Sequence, residues 1–259
     1  MATITQKGIE PNRGAFQGVW NIIRFNWHFY VVYFVAMLIL GVMAVLFNGF
    51  WPWVMLALIA AATLGTALSL WASYYVYDAS KLYELNWLKT PQKVANIINI
   101  NAGFDETSVL LVAKFPDSDL QVMDFYDPEK HTEVSIKRAR KAYPPYPGTV
   151  QVETNHLPLP DQQADLIMNI LAAHEIRDEQ ERIAFFKELK RVLKPKGEIV
   201  VVEHLRDWAN FLVYNLGFFH FHSKTTWLRT YKAAELQVKT TRKHTPFLTI
   251  FTLTHGDAS

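Results

Sequence analysis

"DEQERIAFFKELKRVLKPKGEIVVVEH", Asp178 to His204, decides the fold. Ile183, Phe185, Phe186, Leu189, Val192 and Leu193 recur at helical spacing, so the first part reads as an amphipathic helix. "KPKG" carries two breakers and is expected to end that helix in a turn. "EIVVVEH" then reads as a strand buried on both faces, because its apolar run does not alternate. A helix feeding such a strand is one step of an α/β parallel sheet.

The same pattern extends in both directions. Upstream, "VANIINI", "LQVMDFY", "TVQV" and "ADLIMNI" read as strands. "ETSVLLVAKF" and "PEKHTEVSIKRARKAY" read as helices, the second closed by the breakers of "PPYPG". Downstream, "ELQVKTT" and "FLTIFTLT" read as an antiparallel strand pair. The fold class expected is α/β, a Rossmann-like parallel sheet with an antiparallel C-terminal strand, its ligand at the carboxyl ends of the strands.

A different kind of segment precedes this sheet. No Asp, Glu, Lys or Arg occurs from Phe25 to Tyr77. "FYVVYFVAMLILGVMAVLF", Phe29 to Phe47, would make a helix about 28 Å long. Its Phe, Ile, Leu and Val residues favour membrane insertion by roughly 4 to 7 kcal/mol. "WVMLALIAAATLGTALSLWASYYVY" makes a second span after the turn "NGFWP". Trp27, Trp51, Trp53, Trp71, Tyr74 and Tyr75 crowd the ends, at headgroup level. Four parts are therefore expected: a cytoplasmic N-terminal segment (1–24), a transmembrane hairpin (25–77), a linker (78–92) and the α/β domain (93–259). Lys7, Arg13 and Arg24 precede the hairpin and Lys81, Lys89 and Lys93 follow it, while the turn has no Lys or Arg. The positive-inside rule then puts both termini in the cytoplasm, on an inner (cytoplasmic) membrane crossed twice. Ala60, Ala61, Ala62, Gly65, Ala67 and Ser69 suit close helix approach or a homo-oligomer contact through the hairpin.

Composition excludes some functions. Basic and acidic residues balance beyond the hairpin, which argues against nucleic acid as a partner. The run Lys137, Arg138, Arg140, Lys141 reads as a solvated helix face. The chain has no cysteine, hence no disulfide, thiolate metal site or Cys nucleophile.

"LPLPDQQADLIMNILAAHEI" (Leu157 to Ile176) and "ELKRVLKPKGEIVVVEH" (Glu188 to His204) resemble class I S-adenosylmethionine-dependent methyltransferases. The likeness is greatest to the branch that includes the ubiquinone and menaquinone C-methyltransferases. It covers about Lys93 to Thr254 and leaves the hairpin outside. Lys196 stands where the family usually has a glycine. The resemblance implies S-adenosyl-L-methionine as cofactor and assigns its contacts. Asn101, Gly103 and Asp105 match a Gly-x-Gly-x-Gly loop in which two of the three glycines are gone. Asp124 matches the acid that binds both ribose hydroxyls; its distance from Gly103 also suits a ribose-binding acid. Glu153, with Thr154 beside it, falls near the adenine. Asn101 tolerates left-handed backbone, and Asp105 suits the start of the next helix.

His174 and Glu175 follow the fourth strand and His204 ends the fifth, so these three are the catalytic candidates. Either histidine would accept a proton near neutral pH. Phe218, Phe219, Phe221, Trp227 and Tyr214 belong to a stretch expected to face an apolar acceptor or to pack as core. His220 and His222 lie two apart, with Glu203 and His204 upstream, but no metal-ligand spacing appears and no metal is expected. Tyr77 and Asp78 resemble a Tyr-Asp pair that closes over the cofactor in the family. The reading is a membrane-anchored methyltransferase with an apolar or lipid-like acceptor. The alternative is a catalytically inactive membrane scaffold or binding protein of the same fold, since the glycines are lost. A dinucleotide enzyme is disfavoured for want of a pyrophosphate loop.

Overall fold

The computed structural model describes residues 13–90, 93–131 and 133–256. Lys7 and the rest of 1–12, residues 91–92 of the linker and 257–259 of the domain lie outside the described residues.

Seven strands form one sheet in the order β3-β2-β1-β4-β5-β7-β6. They are β1 (Asn96–Asn101), β2 (Asp119–Asp124), β3 (Val150–Gln151), β4 (Ala164–Ile170), β5 (Leu193–His204), β6 (Leu236–Lys243) and β7 (Leu248–His255). The first five are parallel; β7 runs antiparallel between β5 and β6. The expected α/β sheet with an antiparallel C-terminal strand is therefore present. The centre of the sheet is buried on both faces. Ile98, Ile100, Ile167 and Val201 pack on one side, and Ile97, Leu166, Met168 and Val202 on the other. This explains the unbroken apolar runs.

Helices α4 (Ser108–Lys114), α5 (Val134–Ala142), α6 (Glu179–Val192), α7 (Trp208–Tyr214) and α8 (Lys224–Ala233) complete the domain. The Asp178 carboxylate accepts from Glu181 N–H and caps α6. Phe185, Phe186 and Leu189 bury its apolar stripe against Trp227 and Tyr231 of α8. Trp227 is thus core rather than an acceptor contact.

Two expectations give way. Lys194 to Gly197 is not a turn: β5 begins at Leu193 and runs through it, with a bulge opposite Ala164 and Leu166. Lys194 Nζ binds Asp165 at 2.8 Å, and a Cβ on Gly197 would lie 2.9 Å from the Ala164 carbonyl oxygen. Close strand approach thus explains this glycine. The expected helix from Pro128 starts only at Val134.

Upstream, α2 (Trp27–Leu46) and α3 (Trp51–Tyr74) form an antiparallel pair joined by a turn at Asn48–Phe50. Both are long and apolar enough to cross a membrane, and α2 has no buried residue. A further helix, α1 (Gln17–Phe25), lies in the segment expected to be only a cytoplasmic lead. It packs on α5 and α3. The Asp78 carboxylate accepts from Gly18 N–H at 2.7 Å and Val19 N–H at 2.9 Å, holding the start of α1. Arg13 pairs with Glu106 at 2.5 Å, and Tyr83 donates to the same carboxylate at 2.8 Å. Tyr143 of the segment after α5 donates to Asn21 at 2.9 Å. Asp78 therefore anchors a helix.

The basic run on α5 divides by helical phase. Lys137 and Lys141 are exposed, whereas Arg138 and Arg140 turn inward. Arg138 donates to the Phe25 carbonyl at 2.6 Å and sits 4.9 Å above the Trp27 ring. It ties the root of the hairpin to the domain, so the run is not simply a solvated face.

Candidate functional site

A cavity of about 240 Å³ opens at the carboxyl ends of β1, β4 and β5. Asn101 and Ile100 form its floor, α1 and α5 cover it, and His174, Glu175, His220 and Phe221 line its far wall. The resemblance-based candidates fall around it as follows.

Asn101 Oδ1 accepts from Gly103 N–H at 3.0 Å, tightening the loop after β1. Gly103 has φ +94°, a conformation that favours glycine. Asp105 is turned away from the cavity. Its Oδ1 accepts from the N–H groups of Thr107 and Ser108 at 2.9 and 3.0 Å, at the start of α4. Its Oδ2 is buried without a hydrogen bond. Asp124 ends β2, buried; Oδ1 accepts from Tyr126 N–H at 2.8 Å, and Oδ2 pairs with the Arg140 guanidinium. Arg140 also lies over the Tyr126 ring, 4.4 Å from its centre. A Cβ on Gly103 would meet Arg140 and Tyr126 at 3.0 Å, so these side chains lie directly against the loop. Glu153 and Thr154 lie in a separate open groove beyond Tyr126, with Lys130 and His131. Arg140 lines that groove and binds Asp124; of the cofactor candidates, Asn101 alone is among the described residues that line the cavity.

The catalytic candidates separate. His204 is buried and both ring nitrogens are engaged. Nδ1 donates to the Phe247 carbonyl at 3.0 Å, and Nε2 accepts from the Tyr77 hydroxyl at 3.0 Å. Burial lowers its pKa to about 4, so it stays neutral. A base so depressed takes up a proton only on unfolding until the pH falls to about 4. Stability is then lost as pH drops from the ordinary histidine value of 6.5 towards 4. Urea unfolding at pH 7 and pH 5 should show this loss, and His204→Gln should reduce it; an unchanged pH slope would argue against a buried neutral His204.

His174 behaves in the opposite way. Its Nδ1 lies 2.8 Å from Glu203 Oε2 and its Nε2 3.4 Å from Glu175 Oε1. Burial opposes its charge, but the two carboxylates outweigh burial and hold the pKa up at about 10. Such a histidine keeps its proton at neutral pH and serves as a donor, not as the expected general base. Glu175 is buried too, yet hydrogen bonds with His174 and His220 hold it well below the usual carboxylate range. His220 joins this group from the segment after α7; its Nε2 lies 3.5 Å from Glu175 Oε1 and its Nδ1 3.0 Å from Glu133 Oε1. Sequence reasoning missed Glu133, Arg140 and the covering role of α1. Arg140 reads from the sequence as part of a solvated helix face, because its partner Asp124 lies on a different element.

The side chains suit S-adenosylmethionine with one adjustment. Asp124 offers a buried carboxylate at the strand end and Gly103 keeps the loop backbone close, whereas Asp105 is committed to the start of α4. Arg140 holds the Asp124 oxygen that a ribose hydroxyl would need. Its side chain is 32% exposed, so it has solvent to swing into.

The family model described as "Methyltransferase domain" matches residues 129–201. No curated protein matches the chain. Among solved structures, a SAM-dependent methyltransferase from Aquifex aeolicus is 17% identical, with 69% of this chain and 94% of that one covered and a TM-score of 0.49. The PH0226 protein from Pyrococcus horikoshii OT3 is 15% identical, with 68% and 90% covered and a TM-score of 0.51. The pyocyanin biosynthetic protein PhzM is 8% identical, with 72% and 58% covered and a TM-score of 0.51. At such identities the likeness is one of fold. With its antiparallel β7, its strand-end cavity and the matched segment, the chain has the class I S-adenosylmethionine-dependent methyltransferase fold.

Proposed function

We propose that this protein is a membrane-anchored methyltransferase that moves a methyl group from S-adenosylmethionine to an apolar or lipid-like acceptor at the cytoplasmic membrane face. The observation that carries it is the cavity's cover. The helix that closes it, α1, runs through Asn26 directly into α2, the first membrane-length helix. An acceptor leaving the bilayer beside α2 would meet the strand ends without crossing water. Phe16, Trp20 and Trp27 on and beside α1 are exposed, as are Trp208, Leu212 and Phe219 near the base of α3. Aromatic rings in such positions suit the headgroup region. A soluble metabolite would gain nothing from this arrangement.

Asp124, Gly103 and Asn101 would hold the ribose and amino-acid parts of the cofactor, and Glu153 and Thr154 would border the adenine. When bound, the cofactor supplies an electrophilic methyl group on a sulfonium. The protein's share is then mostly positioning. Ile100, Phe104, Ile170 and Phe221 give the cavity apolar walls, His174, Glu175 and His220 give it a polar corner, and Asn21, Asn26, Glu106 and Thr107 add polar groups elsewhere in its lining. An acceptor with a single polar group would be oriented by that corner.

Mass spectrometry of lipid extracts from cells with and without the gene tests this reading. A lipid or quinone-type species about 14 daltons heavier, present only with the gene, is expected. If extracts match, and purified protein in detergent gives no heat with millimolar S-adenosylmethionine, the scaffold reading replaces it. Loss of two loop glycines favours that second reading.

A further inference from the structure

We propose that His174, Glu175 and His220 form a binding site for one first-row divalent cation, of the zinc type, in the wall of the cavity. One ligand atom from each of the three residues lies within 4.8 Å of the others. The two distances to Glu175 are 3.4 and 3.5 Å. Metal–ligand bonds of about 2.1 Å at tetrahedral angles separate neighbouring ligand atoms by about 3.4 Å. Both separations from Glu175 therefore match the spacing an ion requires, and a ring nitrogen of one histidine lies within 4.8 Å of one of the other.

The surroundings of the two histidines strengthen the assignment. Each directs its other nitrogen at a carboxylate. His174 Nδ1 faces Glu203, which is fully buried and also accepts from the His174 backbone N–H at 3.2 Å. His220 Nδ1 faces Glu133. A carboxylate behind an imidazole fixes its orientation and raises its basicity, and an ion at His174 Nε2 would take the place of the proton that this nitrogen otherwise carries. Finding this on both histidines, with both Nε2 atoms converging on one carboxylate oxygen, distinguishes the cluster from a chance group of polar side chains. Two imidazoles and a carboxylate suit zinc, iron(II) or cobalt(II) better than magnesium or calcium.

One competitor is present. The Arg177 guanidinium touches both ring nitrogens of His220, lying 2.7 Å from Nε2, and donates to the His220 carbonyl. Arg177 is exposed, so it can leave that nitrogen to an ion. All three ligands line the cavity, so an open fourth position would admit water or an oxygen of a bound molecule. If the methyltransferase reading holds, that places an oxygen-bearing group of the acceptor at this corner; the site itself does not depend on that reading.

Full-length protein in detergent, stripped with a chelator, is titrated with Zn(II) by calorimetry and with Co(II) by visible absorption, without S-adenosylmethionine. One equivalent should bind, with the d–d bands of a four- or five-coordinate cobalt site. Glu175→Gln and His220→Ala should each abolish stoichiometric binding, and Glu203→Gln should weaken it roughly 10- to 100-fold. Arg177→Ala should tighten it, and His222→Gln should leave it unchanged. Folded wild type that binds no ion overturns the proposal. So does stoichiometric binding that both Glu175→Gln and His220→Ala retain. Matching lipid extracts together with no heat on adding S-adenosylmethionine would reject the methyltransferase reading while leaving these titrations to decide the metal site.

Discussion

Asp124→Ala is expected to lower the affinity for S-adenosylmethionine at least about a hundredfold, and Arg140→Ala is expected to raise it. Hydrogen bonds to a charged group contribute about 1.5 to 3 kcal/mol each, so losing those to two ribose hydroxyls exceeds a hundredfold. The opposite sign at Arg140 follows from its contact with Asp124 Oδ2. On the proposed cofactor assignment, a ribose hydroxyl would displace that guanidinium. Removing it spares the cofactor the exchange, for a gain on the order of tenfold. Calorimetry on folded, detergent-purified variants reads both effects. Truncating Asp124 leaves Arg140 without its partner, but Arg140 reaches solvent, so the fold should survive. The double variant Asp124→Ala with Arg140→Ala controls for a stranded charge. Equal affinity in wild type and Asp124→Ala would remove Asp124 from the cofactor site. Weaker binding in Arg140→Ala would mean that the guanidinium contacts the cofactor instead.

Gly18→Val should detach α1 from the domain. A Cβ at position 18 would lie 2.3 Å from the Tyr77 Cβ and 2.9 Å from Asp78 Oδ1. Neither is the far end of a flexible side chain, since Asp78 is held by the N–H groups of Gly18 and Val19. Overpacking of this kind costs about 1 to 3 kcal/mol, and the two charge-assisted hydrogen bonds are strained as well. The seven-stranded core does not include α1, so the expected result is local release rather than global unfolding. Trypsin should then cut after Arg24 at a much higher rate, while the far-UV circular dichroism of the sheet persists. An apolar fluorophore that binds wild type in the cavity should lose most of its signal. Wild-type proteolysis rates with retained fluorophore binding would show that α1 is not the cover.

Much of this protein was legible in its residues. β4 follows "ADLIMNI" residue for residue, and α6 departs by one residue at each end from the helix expected over Asp178 to Leu193. Both signals are local: helical apolar periodicity in α6 and a short apolar run in β4. The two membrane-length helices were equally plain, because they are long and carry no charge. Where a second, longer-range demand competed, local reading failed. Lys194 to Gly197 has the composition of a turn, yet Ala164 and Asp165 hold it in β5. The basic run of α5 has the composition of a solvated face, yet two of its four cations serve as internal ties.

The family resemblance placed Asn101 and Asp124 at strand ends and Gly103 in the loop between; the sequence by itself determined the sheet, its antiparallel end and the apolar hairpin. These rest on periodicity and turn chemistry, which neighbouring residues decide among themselves. Only the tertiary structure decided which partners meet: Arg140 with Asp124, Asp78 with the start of α1, and His220 with His174 and Glu175. Those pairs lie far apart along the chain, and their encounter is set by how the sheet stacks and where the covering helices close. No local pattern encodes that, because the free energy of each contact exists only after the chain has folded back on itself.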